Sequence, residues 1–162
     1  MKKIEKVVPI KELLADFLKK YPHDDSPSII SPVHRKTKYA QAWRTIGGKK
    51  KYFRSKWEAN YARVLEYRKQ RGEIAEWYHE PYTFWFEDIR RGTRSYLPDF
   101  KVVEPGGCHY WVEVKGYMDP KSRTKLKRFA KYYPKEKIVL IDSKWFKQEA
   151  KHYKNIIKEW EV

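Results

Sequence analysis

Ile138-Val139-Leu140-Ile141 is a continuous apolar run between two basic, helix-patterned segments, and it constrains the fold more than any other part of the sequence. A strand without polar alternation must be buried on both faces, as expected of an interior, parallel strand. Helices must then cover the sheet, and the neighbouring stretches supply them. Asp119-Pro120 opens a segment with Leu126, Phe129, Ala130 and Tyr133 on one face and lysines and arginines on the others. From Lys144 to Trp160 a further helix is expected to bury Phe146, Ala150, Tyr153, Ile157 and Trp160.

Upstream, Ser55 to Arg71 has helical spacing, with Trp57, Tyr61, Val64 and Leu65 on its buried stripe and Gly72 as its stop. Gly47-Gly48 between two strand-like runs predicts a hairpin. Strand-like segments follow at Ile74 to His79, Tyr82 to Glu87, Tyr96 to Val103 and His109 to Lys115. At the N-terminus, Pro9 to Tyr21 reads as a helix with Pro9 in its first position and Ile10, Leu13, Leu14, Phe17 and Leu18 on one face. Turn residues then suggest a soft boundary, giving a helical arm over 1–32 and a main domain over 33–162. The expected architecture is α/β: a mixed central sheet flanked by helices.

The chain has 162 residues, 37 Lys and Arg against 21 Asp and Glu, and a formal net charge of +16. Such an excess repels itself, so it points to a polyanionic partner: nucleic acid first, a membrane surface second. A solvated basic surface is the plain alternative. Cys108 is the lone cysteine, which excludes an intramolecular disulfide and a cysteine metal cluster. With no signal-peptide pattern at the start and no run of transmembrane length, a soluble, intracellular protein is expected.

The chemistry concentrates in two blocks, Tyr96-Leu97-Pro98-Asp99-Phe100 and Glu113-Val114-Lys115-Gly116, with thirteen residues between Asp99 and Glu113. Glu104-Pro105-Gly106-Gly107 is a turn, so the flanking runs should pair as an antiparallel hairpin. A turn centred on Gly106 sets Asp99 opposite Glu113, with Lys115 on the same face. A centre one half-step later would turn Asp99 to the other face. Opposed carboxylates call for a compensating charge. A divalent cation with oxygen ligands provides one, and Lys115 paired with both acids as a surface ion cluster is the other reading.

Four blocks in order, Ser55-Lys56-Trp57-Glu58-Ala59-Asn60-Tyr61-Ala62, Trp77-Tyr78-His79-Glu80-Pro81, Tyr96-Leu97-Pro98-Asp99-Phe100 and Trp111-Val112-Glu113-Val114-Lys115-Gly116, resemble the PD-(D/E)xK nuclease superfamily. They are most similar to phage-encoded Holliday junction resolvases and related structure-specific endonucleases. The resemblance covers about Tyr52 to Ile141. It implies a restriction-endonuclease-like core and Mg²⁺-dependent hydrolysis of DNA, with Mn²⁺ a possible substitute. It further implies a branched or four-way substrate, a homodimer, no membrane association, and action in the cytoplasm of a prokaryotic host. Asp99, Glu113, the Val114 carbonyl and Glu58 would be metal ligands, and Lys115 would serve the attacking water. Glu58 also fits a capping box with Ser55. Ser55, His79 and Glu80 are secondary candidates, with N-capping the simpler role for Ser55. Nucleases acting on linear duplex in recombination or transposition share the core, and a non-catalytic nucleic-acid-binding module is the alternative outside the enzymes.

Phosphate contacts are expected from Arg44, Lys49, Lys50, Lys51, Arg54 and Lys56 around the hairpin and from Lys121, Lys125 and Arg128 on the helix after Lys115. Arg35, Lys36, Lys38 and Tyr39 lie just upstream, and Arg90, Arg91 and Arg94 form a third basic group. Among the nearby aromatics, Tyr52 could stack on bases, whereas Trp43 and Phe53 are expected in the core.

Overall fold

The computed structural model describes residues 8–20 and 41–162. Its centre is a five-stranded mixed sheet in the order β1 (Val8–Pro9), β9 (Lys137–Asp142), β8 (His109–Lys115), β7 (Phe100–Val103), β4 (Glu76–His79). The apolar run behaves as its composition demands. It forms β9, pairs parallel with β8, and holds Ile138, Val139 and Ile141 buried. The other pairings are antiparallel.

Alternation divides the core into two layers. Tyr110, Val112, Val114, Phe100 and Val102 pack with Ala59, Tyr61 and Leu65 of α2 (Lys56–Gln70) and Phe146 of α4 (Ser143–Ile156). Trp111 and Ile138 face the opposite layer, with Ile10 of α1 (Ile10–Lys20) and Leu126, Phe129 and Ala130 of α3 (Pro120–Tyr132). Helices therefore cover both faces of the sheet. Two small ribbons flank it: β2 (Ala42–Ile46) with β3 (Lys49–Phe53), and β5 (Phe84–Trp85) with β6 (Ser95–Tyr96).

Local chemistry accounts for the element ends. Asp119 and Asp142 cap α3 and α4 by accepting from the N–H groups of Ser122 and Trp145. Gly47 and Gly48 take φ of +58° and +74°, the left-handed pair that a two-residue hairpin turn needs. A side chain at Gly47 would strike the Glu66 carboxylate, which lies under the turn and accepts from the Trp77 indole at 2.9 Å.

Four expectations need correction. Pro9 is not the first helical residue; with Val8 it forms β1 on the edge of β9, where its missing N–H leaves no interior ladder broken. The run from Tyr96 to Val103 is two strands, interrupted around Pro98. Helix α4 ends at Ile156, so Trp160 reaches the core from a tail that folds back onto α2. Asn60 holds that tail with both ends of its amide, bonded to the carbonyl and the N–H of Glu161 at 2.7 and 2.9 Å. Trp43, expected in the core, is 63% exposed, whereas Phe53 is buried as expected. The boundary near residue 32, Arg35, Lys36, Lys38 and Tyr39, and the side chains of Leu14, Phe17 and Leu18 lie outside the described residues.

Candidate active site at the β7–β8 edge

The register of β7 and β8 decides whether a site exists. Phe100 pairs with Val112 and Val103 with His109, so the turn is centred on Gly106, and the same register carried one residue past the ladder puts Asp99 opposite Glu113. Glu113, Trp111 and Lys115 share the face toward α3. Asp99 and Glu113 are both buried. The Lys115 ammonium stands 3.6 Å from Glu113 Oε1.

Each carboxylate is anchored through one oxygen. β7 begins at Phe100, and just before it Asp99 Oδ2 accepts the N–H of Val114 at 2.7 Å. A strand residue sends its N–H and C=O to the same side, so the Val114 carbonyl leaves the strand toward Asp99 as well. Glu113 Oε2 accepts the phenol of Tyr96 at 2.8 Å. Tyr96 is a member of the site that the sequence reading passed over. Its signal was position alone, three residues before Asp99 in the same block.

The electrostatics show a compensating charge that falls short. Burial raises the Asp99 carboxyl well above its ordinary range, and the charges of Glu113 and Glu58 push it further, against the Val114 N–H and Lys115. Burial also raises Glu113, opposed by Lys115, the Tyr96 hydroxyl and Lys125. Two buried acids that resist ionising together, with a backbone carbonyl directed to the same side, make an all-oxygen donor set that suits a hard divalent cation.

Glu58 sits at the edge of this group. It lies in the first turn of α2, buried, where its own N–H bonds the Ser55 hydroxyl at 3.1 Å and its carboxylate accepts the N–H of Arg54 at 3.1 Å. Ser55 is the N-cap, as expected, but Glu58 departs from the capping-box pattern: its carboxylate takes the N–H of Arg54, one residue before Ser55, instead of the Ser55 backbone. Its carboxylate is also 3.8 Å from His79 Nε2, and His79 lies on the α2 face of the sheet because it pairs with Phe100. Glu58 thus acts on Asp99 through its charge, from the opposite layer to Glu113. Among the described residues, no group of three or more His, Cys, Asp or Glu side chains gathers closely enough to hold an ion.

His79 and Glu80 border the cluster. His79 is buried against Phe53, with ring centroids 4.6 Å apart. Glu80 adopts φ +45°, a conformation costly for a residue with a Cβ. It is held there by its N–H on the Asp99 carbonyl and by an ion pair between its carboxylate and Arg54 at 2.6 Å. Beyond Lys115, Gly116 lets α2 approach: a Cβ there would stand 3.3 Å from the Trp57 ring.

The basic candidates divide. Arg44 is corrected: its guanidinium makes paired bonds of 2.5 and 2.6 Å to Glu161 with the side chain 10% exposed, so it is not presented to a phosphate. Lys49 pairs with Glu76 and lies over Trp77 and Tyr78. Lys56 donates to the Val162 carbonyl, and Arg128 to the carbonyl of Thr93 beside Gly92. Lys50, Lys51, Arg54 and Lys121 are exposed, and Lys125 is near enough to Glu113 to lower its pKa. Ile10 and Leu13 of α1 are engaged against the α3 layer of the same chain, which removes them from an apolar face free to meet a second copy. No helix among the described residues is long and apolar enough to cross a membrane.

Comparison with protein-family models, with curated proteins and with solved structures returns no match.

Proposed function

We propose that this chain is a metal-dependent endonuclease with a restriction-endonuclease-like core, acting on branched DNA as a Holliday junction resolvase. The observation that carries the reading is the pair Asp99 and Glu113, opposed, buried and raised in pKa, with Lys115 beside them. A purely structural role gives no reason to bury two repelling acids on neighbouring interior strands. Asp99, Glu113 and the Val114 carbonyl are the groups that would hold Mg²⁺, or Mn²⁺ in its place. When bound, the ion supplies positive charge at the scissile phosphate and acidifies water for attack. Tyr96 keeps Glu113 oriented through its 2.8 Å hydrogen bond. Lys115, 31% exposed and beside Glu113, can reach the incoming nucleophile or the developing phosphorane charge. Glu58 adds negative charge at the margin and locks the turn that carries it. Lys121 and Lys125 lie on the helix that follows, where they would meet the strand on either side of the cut. Paired cuts across a four-way junction imply a homodimer.

A second reading has one observation in its favour. Glu58 does not join the other acids in a three-ligand group among the described residues, which would suit a nucleic-acid-binding module whose acids are an ion cluster. One experiment separates these: a synthetic four-way junction and linear duplex of the same arms, with Mg²⁺ or EDTA, for wild type and Asp99→Ala. Paired nicks near the branch that disappear with EDTA and with the substitution are expected. Equal cutting of linear duplex keeps the nuclease and discards the resolvase. Binding without cutting in either metal leaves the binding module.

A further inference from the structure

The β2–β3 ribbon carries a face that the acid cluster does not use. Trp43 pairs with Tyr52 and Thr45 with Lys50, so these four side chains project from one side. The other side is committed to the core through Ile46 and Phe53. On the outer side Trp43 is 63% exposed and Tyr52 42%. Their arrangement is defined: the rings meet edge to face at 5.7 Å, the Tyr52 hydroxyl donates to Gln41 Oε1 at 3.2 Å, and the Lys50 ammonium lies 5.8 Å from the Trp43 ring.

The chemistry of this patch selects its occupant. An apolar protein partner would want aliphatic surroundings, but the neighbours on this side are Thr45 and Lys50. A braced flat ring beside an ammonium matches a ligand with an aromatic face next to an anion, and an unpaired nucleotide has both. Duplex DNA hides its base faces, so it can use only the lysines. The position also fits. β3 runs through Arg54 and Ser55 directly to Glu58, and Phe53 on its inner side packs against His79, so the ribbon borders the acid cluster.

We infer that the outer face of the β2–β3 hairpin is a stacking platform for unpaired nucleobases: Trp43 is the stacking ring, Tyr52 braces it, and Lys50 meets the adjoining phosphate. The inference takes its partner class from the proposed function, and it is tested without cleavage so that the two can fail separately. The probes are a fluorescent thymidine strand of about a dozen nucleotides, an abasic strand of equal charge, and a blunt duplex of the same length, all in EDTA. Trp43→Ala should weaken the thymidine strand roughly 5- to 50-fold and leave the abasic strand and the duplex unchanged. Trp43→Phe should keep most of the affinity, and because the position is exposed, both variants should melt with the wild type. No loss on the thymidine strand, or equal loss on all three probes, overturns the platform. If the junction is never cut and the base-dependent loss still appears, the platform stands and only the nuclease falls.

Discussion

At the scale of single residues the decisive group is Asp99. Its burial and the charges of Glu113 and Glu58 raise its pKa, so the folded chain holds that proton more tightly than the unfolded one. For an acid shifted upward, the contribution to stability is present below the ordinary carboxylate pKa and declines as pH rises toward the folded value. Without metal, burying Asp99 therefore costs stability that grows as pH rises above the ordinary carboxylate range. Asp99→Asn keeps an oxygen to accept the Val114 N–H and removes the charge. It should raise the melting temperature of the metal-free protein at pH 7 by about 2–4 °C, with the gain shrinking toward pH 4. Millimolar Mg²⁺ should raise the wild-type melting temperature and leave the variant almost unmoved. Differential scanning calorimetry at two pH values, with and without Mg²⁺, reads all four cases. A variant less stable than wild type at pH 7 would mean that Lys115 and the Val114 N–H already outweigh the repulsion.

At the scale of elements, Glu76 ties three together. At the start of β4 it bonds Lys69 of α2 at 2.8 and 2.9 Å and Lys49 of β3 at 3.2 Å. Burial pushes its carboxyl up, but Lys69, the Trp77 N–H and Lys49 outweigh that and hold it down at about 2, against an ordinary 4.5. A depressed acid stabilises above its unfolded pKa and loses that contribution as pH falls through the folded one. Glu76→Gln should cost on the order of 1 kcal/mol at pH 7, after discounting for solvent screening, and nothing near pH 2. Urea melts across that range would show the two stabilities converging; parallel curves would mean that the pairs are too solvated to matter. Such pairings were not legible in the sequence, because they depend on how the ribbon docks. What was legible followed from local rules: the Gly106 turn set the β7–β8 register and with it Asp99 opposite Glu113, and the unbroken run at Ile138 specified a parallel interior strand. Trp43 shows the limit. Pairing with Tyr52 already put it on the opposite side from Phe53, but which side is covered is decided by α2, a tertiary contact no periodicity carries. The end of α4 was hidden for the same reason, since Asn60 of α2 captures Glu161 from across the chain.

For the whole molecule the question is how much of the +16 charge is available to a polyanion. Several cations are already committed: Arg44 and Arg63 to Glu161, Lys49 and Lys69 to Glu76, Arg71 to Glu73. Lys50, Lys51, Lys121 and the half-exposed Lys125 are better placed to displace counterions from DNA. Neutralising roughly five phosphates should lower affinity several hundred-fold between 50 and 200 mM salt, because the logarithm of the binding constant falls by about 0.9 per contact per logarithm of salt. Two substitutions divide the charge by role. Lys121→Ala should reduce the salt slope by about one and leave the melting temperature alone. Arg44→Ala should do the reverse, leaving the slope intact while melting falls roughly 4–8 °C through the lost bidentate bond to Glu161. Fluorescence anisotropy with a labelled duplex in EDTA, across a salt series, measures the slope without cleavage. If Arg44→Ala flattens the slope and Lys121→Ala does not, the phosphates follow the tail side of α2 rather than α3. The DNA would then pass too far from Asp99 and Glu113 to be cut by them.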